Sequence, residues 1–182
     1  MKTYRFLIFA VIMFGAGPEP KNDATKADKV LLEGAWSLSA VEINGKVRHS
    51  EQIGECVWIT KDGKIDWQDN KKKMVSHYIS AVPIETKLIF TATKCSSEST
   101  RYGSNITDET DYEIDVSKKP KCITFPLPPQ EEKSIDSPLR YIYSVTKDEL
   151  RLCWGIDKPP SGFDSKKNKN VCVLIYKRQK QE

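Results

Sequence analysis

The chain is predicted to be all-β and antiparallel, built as a sandwich or an up-and-down barrel of about 8–10 strands, and three observations predict it. Apolar residues alternate with polar ones in many short runs, the period-two pattern of strands with one face on a core. Pro120, Pro126, Pro128, Pro129, Pro138, Pro159 and Pro160 fall between or at the ends of those runs, where a missing N–H costs no ladder hydrogen bond. Helical spacing is almost absent. At 182 residues with 38% apolar and 9% aromatic content, the chain suffices for one domain with a real core.

The N-terminal stretch, residues 1–17, reads as a signal peptide, with Lys2 and Arg5 ahead of an apolar run from Phe6 to Phe14. Nine apolar residues make about 14 Å of helix, half a bilayer core, so a cleaved export signal is expected and an uncleaved membrane anchor is the alternative. Removing 1–17 takes two positive charges away and lowers the net charge from +4 to +2, which leaves no electrostatic case for nucleic acid. Residues 18–29, "PEPKNDATKADK", are expected to be a polar linker. The domain is expected over 30–180, opening with a helical turn or two near Asp28 to Glu33.

In "EGAWSLSAVEING" Trp36 and Leu38 carry one apolar phase and Val41 and Ile43 the other, so a bulge or bend is expected inside the first strand. Asn44-Gly45 ends it with residues that tolerate positive φ. Further strands are expected at 55–60, 64–68, 74–82, 86–93, 110–116, 121–127, 139–145, 149–156 and 171–178. Asp62-Gly63 separates the first two of these as a tight turn would. Two stretches, 94–109 and 157–170, are expected to be long mobile loops.

Five cysteines remain in a chain expected to be exported: Cys56, Cys95, Cys122, Cys153 and Cys172. Two bridges with one thiol left over allow fifteen connectivities. Cys153 with Cys172 is the pair we single out, because the two flank the 157–170 segment. None of the spacings matches a structural zinc site, and no metal is expected.

The search for chemistry returns little. His49 and His77 are the only histidines, His49 in a polar stretch and His77 on the apolar phase of its run as a structural residue. Nucleophile-turn, phosphate-loop and His-Glu-x-x-His motifs are absent, so neither a catalytic residue nor a cofactor site is expected. Asp111, Glu113 and Asp115 alternate along one strand and read as a solvated outer face. Of the aromatic residues, Trp58, Trp67, Phe125 and Tyr143 are candidates to line a cavity, with core filling as the competing role.

Several blocks together resemble a known family. "LLEGAWSLSAVEINGK" at 31–46, "YEIDVSKKPKCITF" at 112–125, "IYSVTKDELRLCWG" and "VCVLIYKR" are similar to the lipocalin-like domain abundant in planctomycete bacteria. The resemblance implies a lipocalin-like up-and-down barrel and an exported setting, and no established activity. It leaves 75–106 poorly matched, as a lineage-specific extension would be, and "KPPSGFDS" lacks the arginine usual in that family's loop. It also implies a structural role for Trp36 at the closed end of the barrel, with Arg178 over its indole.

The function expected is therefore an exported, non-catalytic protein binding a small apolar or amphipathic molecule. A structural or protein-interaction domain of the cell envelope or extracellular space, with a filled barrel, is the alternative. Stable membrane insertion after processing is not expected.

Overall fold

The computed structural model describes residues 21–50, 55–60, 65–69, 78–82, 86–101, 104–126, 139–155, 160–168 and 170–180, with side chains at 23–50, 86–98, 106–126, 140–155, 160–168 and 170–180. The expected signal segment 1–17 and His77 lie outside the described residues. No described helix is long and apolar enough to cross a membrane.

The chain first forms helix α1 (Lys21–Leu32). Alanines, lysines and leucines favour it, Asp23 sits in the first turn and Lys29 in the last, each complementing the helix dipole. Where a linker is expected over 18–29, residues 21–29 are most of this helix, and 18–20 lie outside the described residues. The stripe that α1 buries runs through Asp28 and Leu32, and a carboxylate in the middle of it hides the amphipathic pattern from a reading by hydrophobicity.

Nearly everything else is strand: β1 (Gly34–Ile43), β2 (Lys46–His49), β3 (Glu55–Thr60), β4 (Ile65–Asp69), β5 (Tyr78–Val82), β6 (Lys87–Phe90), β7 (Lys94–Arg101), β8 (Ser104–Asp111), β9 (Glu113–Asp115), β10 (Cys122–Phe125), β11 (Leu139–Val145), β12 (Glu149–Gly155) and β13 (Val171–Arg178). One antiparallel sheet runs β8-β7-β6-β1-β13-β12-β11-β10-β9, with β2 on β1. Because β8 and β9 are consecutive in the chain, with only Tyr112 between them, the sheet's two edges belong to a single bent stave and the wall curls into a nearly closed barrel. Thr110 donates from Oγ1 to the Pro126 carbonyl at 3.2 Å across that seam.

The bend in β1 lies where the phase of the sequence changes. Its register on β13 shifts between Leu38 and Ala40, so Trp36, Leu38, Val41 and Ile43 all join the interior cluster. Below the bulge β1 pairs with β6, and above it with β2. Asn44 and Gly45 turn the chain at φ 54° and 72°.

Two expectations fail over 75–109. The expected loop 94–109 is the β7–β8 hairpin, and the expected extension 75–106 contains barrel strands β6 and β7. β6 falls in the expected strand 86–93, whereas polar cross-strand partners hide β7 and β8: Lys94 reaches Glu109 at 2.7 Å, and Lys87 of β6 reaches Glu98 at 2.9 Å. The inserted element is instead the separate sheet β4-β3-β5, between β2 and β6.

The segment after β12 is likewise no free loop where it is described. Ser165 is fully buried; it donates to Glu42 Oε1 at 2.7 Å and accepts the Gly45 N–H at 2.9 Å. Phe163 packs on an outward-facing apolar row of Cys122, Ile142, Cys153 and Val173. Cys153 and Cys172 do not form the disulfide expected of them. Cys153 lies opposite Val173 and Cys172 opposite Trp154, so the strand pleat sends the two thiols to opposite faces of the wall.

Candidate functional site

Strand register orders the interior into layers. At the base Trp36 faces Arg178. Above it come Leu38, Tyr176, Leu150 and Val145; then Val41, Leu174, Leu152 and Tyr143; then Ile43, Cys172 and Trp154, with Tyr141 continuing the row one step before the Ile142–Cys153 pair. Each layer is a set of directly opposed residues on adjacent strands, which is why the sequence shows them only as unconnected alternations.

The base is sealed by α1, which is tied to all three turns at that end. Lys29 Nζ donates to Ala92 O at 3.0 Å in the β6–β7 turn. Lys121, just before β10, donates to both Asp28 carboxylate oxygens at 2.8 Å. Arg178 donates to Leu31 O, to Glu33 O at 2.6 Å and to Lys147 O at 2.6 Å in the β11–β12 turn. Its guanidinium carbon also stands 4.1 Å from the Trp36 ring centroid, while Trp36 Nε1 donates to Leu32 O at 2.7 Å. The structure thus brings Trp36 and Arg178 together as a structural pair in which each polar edge is satisfied by backbone. Gly34 is required beside them: it has φ 114°, and a Cβ there would lie 2.9 Å from Arg178 Nη1.

Sequence reasoning missed Asp28, whose carboxylate is only 6% exposed. Besides Lys121 it accepts the Tyr143 hydroxyl at 2.6 Å. Burial and that hydrogen bond raise Tyr143 well above the usual phenol range, so it stays protonated and donates. Tyr143 is therefore not a cavity-lining residue as expected but a core residue, 2% exposed, holding the helix to the wall. Tyr112 behaves alike, donating to Thr91 O at 2.9 Å, with burial pushing it up to about 12. The Asp28 carboxylate, the Lys121 ammonium and the Tyr143 hydroxyl spend hydrogen bonds on one another.

Farther along the wall from α1 burial is uneven, with Ile43, Ile123 and Cys172 fully buried beside aromatic neighbours that are only partly so. Phe125, Tyr141 and Trp154 project inward and pack on the core, yet each keeps part of its surface exposed. Phe125 meets Tyr141 edge-to-face at 5.6 Å between centroids, and Phe90 stands 6.5 Å from Phe125. This aromatic rim is the candidate site. Of the four expected cavity residues, Phe125 lies in it and Tyr143 does not; the side chains of Trp58 and Trp67 lie outside the described residues. Tyr141 and Trp154 were legible only as strand aromatics, because nothing in the sequence places them side by side. His49 ends β2, exposed, and Asp111, Glu113 and Asp115 are all exposed on the outer face. Among the described residues no three His, Cys, Asp or Glu side chains converge as metal ligands would.

A single antiparallel wall curled on itself, a short helix across one end and a Gly-x-Trp strand held by an arginine make a nearly closed antiparallel barrel sealed at one end. Comparison with models of known protein families finds no match, and no curated protein matches either. Among solved structures, a lipocalin-like protein from Bacteroides uniformis is similar at 12% identity over 82% of this chain and 99% of that one, with a TM-score of 0.42.

Proposed function

We propose that the protein is a non-catalytic binding protein that takes a small apolar or amphipathic molecule through the end of the barrel opposite α1. The observation that carries this reading is that three inward aromatic rings, Phe125, Tyr141 and Trp154, stay partly exposed beside a core of fully buried residues. Partly exposed rings on the inner face of a curved wall gain free energy from any apolar body that covers them. The test is native mass spectrometry of the purified protein equilibrated with a mixture of small apolar molecules. A stoichiometric 1:1 adduct that saturates is expected; no adduct with any of them would sink the reading.

The packed lower layers favour a second reading, an interaction domain whose barrel is simply filled. It predicts no adduct and a partner protein retained instead. We further infer export through the apolar segment at Phe6 to Phe14 and kinship with planctomycete lipocalin-like domains, supported by the Gly34-x-Trp36 strand and the block at 112–125. Finding mature protein lacking 1–17 outside the cytoplasm supports export; intact protein in the cytoplasm overturns it.

A further inference from the structure

Three inward rings on adjacent strands stay partly exposed, and this bears on what the proposed site would hold. Aliphatic side chains of the interior, Leu38, Val41, Leu150, Leu152 and Leu174, are consumed in the lower layers and buried. Partly exposed on the β10–β11–β12 wall are Phe125, Tyr141 and Trp154, one ring from each of three adjacent strands, while Val145 nearer the base and Ile114 on β9 are the aliphatic residues in the same state. Their order is set by register: Phe125 lies two residues beyond Ile123, which opposes Tyr141, and Trp154 is one step beyond the Cys153–Ile142 pair. Phe125 and Tyr141 stand at 84° to one another with centroids 5.6 Å apart. Edge-to-face contacts of this kind leave ring faces and edges turned in different directions along one curved wall.

A flexible acyl chain meets such a wall with many rotors to freeze and no quadrupole to match. A flat fused-ring molecule has neither cost, and its own faces and edges find complementary edges and faces in the three rings. We propose that the ligand of this barrel is a planar, ring-containing apolar molecule, selected over linear chains by Phe125, Tyr141 and Trp154. This rests on the binding function proposed above and narrows it to a ligand class.

The test compares two uncharged probes on the full chain, N-phenyl-1-naphthylamine for the planar class and 1-dodecanol for the linear one. Saturable 1:1 binding of the naphthylamine is expected, with energy transfer from tryptophan that is reduced in Trp154→Leu and with no displacement by dodecanol. Trp154→Leu and Phe125→Leu should each weaken naphthylamine binding about tenfold or more, and chemical denaturation shows whether each variant is folded. Dodecanol binding as tightly as the naphthylamine, or unchanged naphthylamine affinity in both folded variants, overturns the inference while leaving a binding barrel in place. Failure of both probes, together with no adduct from any apolar molecule, overturns the binding function and this inference with it.

Discussion

At the scale of single residues, the sealed end is where small changes should cost most. Gly34 has φ 114° and sits against Arg178, so Gly34→Ala imposes a left-handed backbone on an L-residue and also pushes the guanidinium off three carbonyls. A loss of about 2–4 kcal/mol is expected, read as a lower urea midpoint at unchanged slope. Tyr143→Phe removes one donor from a buried carboxylate that Lys121 still holds, and should cost about 1–2 kcal/mol. Asp28→Ala should cost more, because it strands the Tyr143 hydroxyl and unties α1 together. If Tyr143→Phe were as damaging as Asp28→Ala, the lysine would not be an independent tie. Gly34 and Trp36 were visible in the sequence as a motif; the reason for the glycine was not, since Arg178 comes from the far end of the chain.

At the scale of elements, what misled sequence reasoning was polarity. Helix α1 buries an aspartate, and β7 and β8 present Ser, Thr, Lys and Glu to one another across the hairpin, so both lack the apolar rhythm that marks an element. Only the partners reveal them, Lys121 and Tyr143 for the helix and the facing strand for the hairpin. The segment at 160–168 illustrates the same point: Ser165 and Phe163 hold it to the outside of the barrel over Cys153. Burial pushes the Cys153 thiol up to about 12, with Glu42 adding to the effect. Native alkylation near neutral pH should therefore label Cys122, which is only partly buried, before Cys153. Peptide mapping without reductant should also find no Cys153–Cys172 bridge; detecting one would mean that the register of β12 on β13 is different from Cys153 opposite Val173.

For the molecule as a whole, alkaline pH probes the interior. Tyr112 has an ordinary value of 10.0 and is pushed up to about 12 in the folded protein by burial, with Glu33 and Cys95 adding to it; Tyr143 moves in the same direction. The unfolded chain then releases these protons first, so the stabilisation is fully present below about pH 10 and is lost as pH rises through 12. Denaturant midpoints should fall over that window. Tyr112→Phe should flatten the fall, and an equally steep decline in that variant would remove Tyr112 from the account.

The sequence by itself determined the antiparallel all-β class of this protein: most strands other than β2, β7 and β8, the phase change in β1, the Asn44-Gly45 turn and the Gly34-x-Trp36 motif are encoded in local alternation and backbone preference. Those are short-range properties, readable because each residue's neighbours along the chain decide them. Only the tertiary structure decided that Asp28 is core, that Cys153 and Cys172 face away from one another, and that Phe125, Tyr141 and Trp154 form one rim. Each of these is a meeting of residues from separate strands or ends of the chain, fixed by register and by barrel closure, and no pattern along the sequence carries that information.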